Sequence, residues 1–342
     1  MKHLTLIFLA LLWTTVSMAQ NKALLIGVGS YEPSTGWKSI GSYNDVDILS
    51  KSLSSSFRIT TLTNEKATYN NIITAINQLI NNCKQGDTVL IHFSGHGQQM
   101  LTTDKNEPDG LDEALVPYDA PMLKSKTYNG ERHLTDNQVG VFIEKLRKKV
   151  GENGLVVVTI DACFSDSMHR DGDDDSNNET IGYRGGADFF GSNTISEDSI
   201  KSIYSKRKII DDSPMEKIEG GANVALISAC ESFLKSFDIK VDGINYGPLS
   251  YAVAQSFLTH NFSDFDAWMD NVDSVMKKTT CNQQPKIRTT LNYSPKTKPA
   301  KSSLQTGLSR SQESDNEGFP YILIIIEIAT VALIIWKISN KK

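Results

Sequence analysis

Cysteine is scarce in this sequence. Four occur in 342 residues, Cys83, Cys163, Cys230 and Cys281. If Cys163 is kept for chemistry, the remaining three cannot all pair, so no complete disulfide framework can be read from them. Cys230, closing the run "VALISAC", reads as packed rather than bonded, and a pairing of Cys83 with Cys281 stays open. An excess of positive charge is also lacking. Thirty-five Lys and Arg against 40 Asp and Glu give a net charge of -5, and nothing marks a nucleic-acid surface. Gly27-Val28-Gly29-Ser30 lacks the full spacing of a phosphate-cradling loop, and a tight strand-to-loop turn accounts for it. The acidic cluster Asp171, Asp173, Asp174 and Asp175 is not an EF-hand: Ser176 stands where the sharp-turn glycine belongs, and Gly182 where the bidentate glutamate belongs.

Apolar runs of membrane type occur at the two ends. Residues 1-19 carry Lys2, an apolar run from Leu4 to Trp13, and small residues at Ser17 and Ala19. That is the three-part pattern of a secretory signal peptide, with cleavage expected after Ala19. Residues 319-338 are apolar except for Glu327 and Lys337, which is the length of a transmembrane helix. Lys341 and Lys342 in the short tail 339-342 favour the cytoplasmic side, and Tyr321 and Trp336 suit the interfaces. The expectation is an exported, single-pass type I membrane protein, with its folded domain in the periplasm or at the cell exterior. Residues 292-318, rich in Ser, Lys, Thr and Pro, read as a disordered linker.

Residues 20-291 remain, about 270 residues, enough for one large domain with its own core. Runs rich in Val, Ile and Leu lie at Lys22 to Gly29, Phe57 to Thr63, Asp87 to Ser94, Gly154 to Cys163 and Ala222 to Cys230. Amphipathic stretches fall at Asp45 to Leu53, Tyr69 to Asn81, Asp136 to Val150 and Pro248 to Leu258. This alternation predicts an α/β fold, a mostly parallel sheet with helices on both faces. Ligands of such sheets gather beyond the carboxyl ends of the strands. Two strand ends stand out there, "HFSGHG" ending at Gly97 and "DACFSD" from Asp161 to Asp166.

A cysteine at a strand end suits a nucleophile that must be rigidly held yet reachable, and a histidine in a glycine turn nearby could take its proton. Taken singly, each has a plainer reading: Cys163 as a small buried hydrophobe, His96 as a hydrogen-bonded polar group. A zinc pair of His92 and His96 is disfavoured, because residues four apart share a face on a helix and this segment is strand and turn.

In order and spacing, "HFSGHG" and "DACFS" resemble the caspase-like cysteine peptidases, most closely the metacaspases and their bacterial relatives. The likeness runs from Lys22 to about Leu291. It takes in "YNDVDIL" (Tyr43 to Leu49), "PDGLDEALVPYD" (Pro108 to Asp119), "LISACESFLKSFD" (Leu226 to Asp238) and "NYGPLSYAVAQSF" (Asn245 to Phe257). It implies a caspase-like three-layer α/β/α sandwich. The implied activity is that of a cysteine endopeptidase acting on protein or peptide substrates, with Cys163 as nucleophile and His96 as base in a dyad. Gly97 and Cys163 would supply the oxyanion-hole N–H groups, glycine sparing the substrate carbonyl an obstruction. Asp45 and Asp161 match positions that line a pocket for Arg or Lys before the scissile bond. Spacing alone favours reading Asp45 as an ordinary carboxylate at a helix N-terminus. The chain departs from the family at Asp166, where relatives usually have glycine, and at Phe164, where metacaspases often have histidine.

The turn-rich stretch from about 167 to 221 is expected to be a loop inserted in the domain. The family resemblance makes it a place for self-cleavage, with Lys206, Arg207 and Lys208 as candidates, although a solvated charge run reads as well. No cofactor is required, but calcium activates many metacaspases, and Asp171, Asp173 and Asp175 are the candidate ligands. The alternative to an enzyme is a caspase-like scaffold with little turnover, tethered to a membrane. Keeping both Cys163 and His96 favours the enzyme.

Overall fold

The computed structural model describes residues 19-103, 110-164, 182-185, 189-206, 215-230, 236-280 and 283-293. The signal-type run before Ala19, the linker from 294 onward, the apolar run 319-338 and Asp171, Asp173 and Asp175 lie outside the described residues, as do Asp166, Arg207, Lys208 and Cys281. Among the described residues no helix is long and apolar enough to cross a membrane.

From the amino end, the chain forms β1 (Asn21–Gly27), α1 (Ser42–Leu53), β2 (Arg58–Thr63), α2 (Tyr69–Asn82) and β3 (Thr88–Ser94). An antiparallel three-stranded sheet follows, of β4 (Gly97–Leu101), β5 (Leu111–Leu115) and β6 (Leu134–Thr135). Next come α3 (Asp136–Val150), β7 (Leu155–Asp161), α4 (Glu197–Lys206) and β8 (Asn223–Ser228). The short pair β9 (Ile239–Val241) and β10 (Ile244–Tyr246), then α5 (Pro248–Ser256), α6 (Phe265–Thr279) and β11 (Lys286–Thr289), complete the described chain.

The main sheet has the order β11-β8-β7-β3-β1-β2. All its pairings are parallel except β11 on β8. β1, β3 and β7 are buried along nearly their whole length, which explains their reading as unbroken apolar runs: a strand covered on both faces has no polar side to show. β2, at the edge, is nowhere fully buried.

One core layer joins the sheet to Ile72 and Ile76 of α2 and Ile143 and Leu146 of α3. The opposite layer joins it to Leu49 and Leu53 of α1, Val253 of α5 and Trp268 of α6. The result is a three-layer α/β/α sandwich. Caps set several helix starts. Thr68 accepts from Asn71 N–H before α2, Thr135 and Gln138 form a reciprocal capping box on α3, and Asp264 accepts from Ala267 N–H on α6.

The stretch from 167 to 221 was expected to be loop, yet it contains α4. Ser196 accepts from the Ser199 N–H, Glu197 and Asp198 follow in the first turn, and Ile200 and Ile203 sit half-buried three residues apart. A polar surround hides so short an amphipathic pattern.

Candidate functional site

β3 and β7 are neighbours with Ser94 opposite Asp161. His96 and Cys163 each lie two residues past that pair, so both leave the sheet side by side at the carboxyl ends of parallel strands. Gly95 N–H donates to the Asp161 carbonyl at 3.3 Å, which carries the pairing one step further.

The His96 ring stacks on Trp37 with centroids 4.9 Å apart and leans on Tyr31. Its backbone N–H donates to Tyr31 Oη at 2.7 Å, and its Nε2 lies 2.8 Å from the Lys38 carbonyl. A carbonyl can only accept, so Nε2 carries the proton and Nδ1 keeps a lone pair. That Nδ1 is buried and has no hydrogen-bond partner among the described residues. Burial lowers the His96 pKa to about 4, opposed by the Lys38 carbonyl and helped by the charge of Arg184. The imidazole is therefore neutral at pH 7, the state in which it can accept a proton. Cys163 is fully buried, and its thiol donates to Tyr183 Oη at 3.8 Å.

The N–H groups of Gly97 and Cys163 converge on one oxygen, the carbonyl of Arg184, at 3.0 and 3.3 Å. Two fixed donors on a single carbonyl can stabilise negative charge that develops there. The glycine has a nearer cause than substrate clearance. A Cβ on Gly97 would lie 2.7 Å from the Cys163 carbonyl oxygen and 2.8 Å from the Phe164 ring. Position 97 must be bare for the two strand ends to approach.

Beside this pair lies a pocket of three carboxylates around one guanidinium, that of Arg184, with none of it exposed. Asp238 Oδ1 accepts from Arg184 Nε at 2.8 Å and lies 2.7 Å from Nη2. Asp45 Oδ2 accepts from Nη2 at 2.9 Å, and Asp161 Oδ1 lies 3.7 Å from Nη1. Nη1 also donates to Ser94 Oγ at 2.7 Å. The carboxylates are braced in turn: Gly247 N–H donates to Asp45, Gly41 N–H to Asp238, and the Ser250 N–H and hydroxyl to Asp161. Burial would lower the Arg184 pKa, but the charges of Asp161, Asp45 and Asp238 outweigh it and raise it. Burial pushes Asp45 up to about 6 against the pull of Arg184, and burial raises Asp238 as well. Three carboxylates at one buried point repel unless a cation sits among them.

His92 stands behind this pocket. Its Nδ1 is 2.7 Å from Thr159 Oγ1 and its Nε2 3.2 Å from Ser250 Oγ, whose proton goes to Asp161. Burial lowers its pKa to about 4. It braces Ser250, which braces Asp161.

The structure thus brings His96, Gly97, Cys163, Asp45 and Asp161 to one place. Asp45 does sit in the first turn of α1, but it is fully buried and aimed into the pocket rather than capping the helix. Lys206 ends α4, and among the described residues no group of His, Cys, Asp and Glu is arranged to hold a metal ion. Three residues of the site were not singled out from sequence. Asp238 closes "SFLKSFD", and its acid among aromatics was the available signal. Gly247 opens α5, and a Cβ there would overlap Asp161 Oδ2 and lie 2.7 Å from Arg184 Cζ. Arg184 gave no signal at all. Of the other cysteines, Cys83 and Cys230 are buried and not in disulfides, and burial pushes the Cys83 thiol up to about 11.

Comparison with known proteins identifies the family and the fold. A caspase-domain family profile matches residues 20–294. Metacaspase-2 of Arabidopsis thaliana is 37% identical over 111 residues, 29% of this chain and 26% of that protein. Metacaspase-1B of Aspergillus terreus is 28% identical over 158 residues, 43% of this chain and 38% of that protein. These matches span well under half the length of either relative. A solved structure of a Geobacter sulfurreducens protein shares the fold, with a TM-score of 0.54 at 20% identity, covering 79% of this chain and 93% of that one. With the profile spanning most of its length, and metacaspases among its relatives, the chain belongs to the caspase-domain family of cysteine peptidases.

Proposed function

We propose that this protein is a cysteine endopeptidase that cuts after Arg or Lys with a Cys163–His96 dyad. The observation that carries the specificity is the buried trio Asp45, Asp161 and Asp238 closing on one guanidinium. Such a pocket rejects an acidic side chain outright and leaves a neutral one facing unpaired charge. Arg fits it better than Lys, because a planar fork can reach all three acids at once.

In this reading the Cys163 thiol gives its proton to His96 Nδ1, and the thiolate attacks the carbonyl carbon before the scissile bond. The carbonyl oxygen takes up negative charge between the N–H groups of Gly97 and Cys163. His96, its orientation held by Lys38 and Trp37, passes the proton to the departing amine. Water then attacks the thioester with His96 as base, releasing the new carboxylate and the thiol.

Export and anchoring belong to the same proposal, supported by the apolar runs at 1-19 and 319-338. Calcium dependence is the remaining part, supported by the acidic stretch that contains Asp171, Asp173 and Asp175. A fluorogenic panel with Arg, Lys or Asp before the scissile bond, run with and without calcium on wild type and Cys163→Ala, tests the activity. Hydrolysis after Arg and Lys that is lost in the variant is the expected result. No hydrolysis of any peptide in either condition would leave a binding module.

A further inference from the structure

We propose that Trp37 does for His96 what the acid of a catalytic triad would do: it is a positioning residue whose ring face stabilises the imidazolium formed when Cys163 gives up its proton. This rests on the reading of the site as a Cys163–His96 dyad, and it names the group that makes a third member unnecessary.

A dyad leaves one charge in want of a partner. As the Cys163 Sγ–H proton moves to His96 Nδ1, a thiolate and an imidazolium appear together, and their net charge stays zero. The thiolate is consumed on the substrate carbonyl carbon, while the imidazolium must last until its proton reaches the departing amine. Among the described residues neither ring nitrogen of His96 meets a carboxylate: Nε2 lies 2.8 Å from the Lys38 carbonyl, and Nδ1 has no partner. Burial works most strongly against a proton on this ring, the Lys38 carbonyl favours one, and the charge of Arg184 again works against it. The nearby acids Asp45, Asp161 and Asp238 are all turned on Arg184.

What the ring does have is two aromatic faces. Trp37 lies stacked on it, centroids 4.9 Å apart and planes 25° apart. Tyr31 leans on it at 5.1 Å and 40°, with its hydroxyl accepting the His96 backbone N–H. A cation within about 6 Å of an aromatic centroid is drawn to the negative face, indole most of all, and more strongly where water is excluded. His96 is buried, so water is excluded here. A neutral imidazole lacks the charge that the face attracts, so the gain arrives with the proton. An interaction that strengthens only as the reaction proceeds lowers the barrier instead of tightening the ground state.

The local chain is built to hold the indole in that place. Pro33 opens a short helical turn, Pro33–Thr35, and Gly36 with φ 88° redirects the backbone directly before Trp37. The indole Nε1–H donates to the Ala120 carbonyl at 2.8 Å, which fixes the plane of the ring. On either side, Glu32 N–H donates to the Tyr118 carbonyl at 3.1 Å, and Met122 N–H donates to the Thr35 carbonyl at 2.9 Å. The loop that carries Tyr31, Trp37 and Lys38 is thereby laced to the segment after β5, and all three of its contacts with His96 move as one unit.

The test uses the full-length chain carrying stepwise fluorinated tryptophans at position 37, which keep the ring shape and the Nε1–H while draining the negative face. For an Arg peptide, kcat should fall with each fluorine, by about tenfold across the series, with KM held within about twofold. Trp37→Leu should lose as much, and Trp37→Phe, which keeps a ring face, should recover part of it. A purely steric role would leave the fluorine series flat. Alkylation of Cys163 by iodoacetamide at pH 7, read by peptide mass, draws on the same proton transfer without needing a peptide substrate. It should follow the same order in the fluorine series, and lose that order in a His96→Ala background. Hydrolysis of Arg peptides with a kcat indifferent to fluorine overturns this proposal and leaves the enzyme reading intact. If no peptide is hydrolysed, alkylation decides: a rate that follows the fluorines upholds the role of Trp37 while the peptidase reading falls, and a flat rate overturns both.

Discussion

The sharpest test of the pocket is a single methyl group, Gly247→Ala. Gly247 has φ -69° and ψ 138°, a conformation that alanine adopts freely, so the backbone gives no reason for glycine. Space does. The added Cβ would lie 2.7 Å from Arg184 Cζ, whereas carbon atoms in good contact sit about 3.5–4.0 Å apart. A guanidinium bound there must retreat by roughly 1 Å. Its bonds to Asp238 and Asp45, now 2.8 and 2.9 Å, would stretch past hydrogen-bonding range. Hydrogen bonds to charged groups contribute about 1.5–3 kcal/mol each, so losing two costs on the order of 3–6 kcal/mol. Even the lower figure is about a hundredfold in kcat/KM for peptides with Arg before the scissile bond. The assay compares Arg peptides with peptides carrying a small neutral residue, on protein whose cooperative thermal unfolding shows it to be folded. The neutral peptides should be affected much less. A folded Gly247→Ala enzyme that keeps its Arg activity within threefold would refute the pocket assignment.

Other consequences follow from the same geometry. Asp238→Asn removes the charge that holds both Nε and Nη2, and kcat/KM for Arg peptides should fall by about 2–3 kcal/mol, roughly 30- to 160-fold, with little change for neutral peptides; an equal loss on both would mean a structural role only. Acid should destabilise the fold. Burial lowers the pKa of His92 and His96 to about 4 and of His133 to about 3 in the folded chain. The unfolded chain therefore binds more protons at these sites from about pH 6.5 down to about pH 4, so their contribution is present at pH 7 and lost through that window. Asp45, raised to about 6, and Asp238, also raised by burial, work the other way over part of it, but as two groups against three. The thermal midpoint should fall between pH 7 and pH 4.5, and a flat or rising midpoint would contradict the burial of these rings. Finally, Gly140 is exposed inside α3 with open space where a Cβ would go. Gly140→Ala should raise stability by about 0.8–1 kcal/mol in denaturant titration without touching activity, and destabilisation would show a contact that the present packing lacks.

Much of this was legible from the residues. β1, β3 and β7 announced themselves because a strand covered on both sides carries apolar residues at every step, and α2 and α3 because their caps and apolar faces are local. His96 and Cys163 were visible because glycines and small residues break the chain out of those strands at recognisable points. The hairpin of β4 and β5 was not visible as strand, since "GQQML" and "LDEAL" have no period-2 apolar pattern and are held by pairing with each other. α4 was missed because, among its described side chains, Ile200 and Ile203 alone mark a half-buried face.

By itself, then, the sequence determined the layered α/β architecture and the two strand ends from which the histidine and cysteine emerge, because both depend on neighbours a few residues away. Tertiary structure alone decided what those ends face. The register of β3 on β7 puts His96 and Cys163 abreast, and the closure of α1, α5 and the segment at Ser236 brings Asp45, Asp161 and Asp238 around one point. Arg184 meets Asp238 across 54 residues and Asp45 across 139. No local periodicity encodes such a meeting; it exists only because burying a guanidinium requires acids to follow it inside.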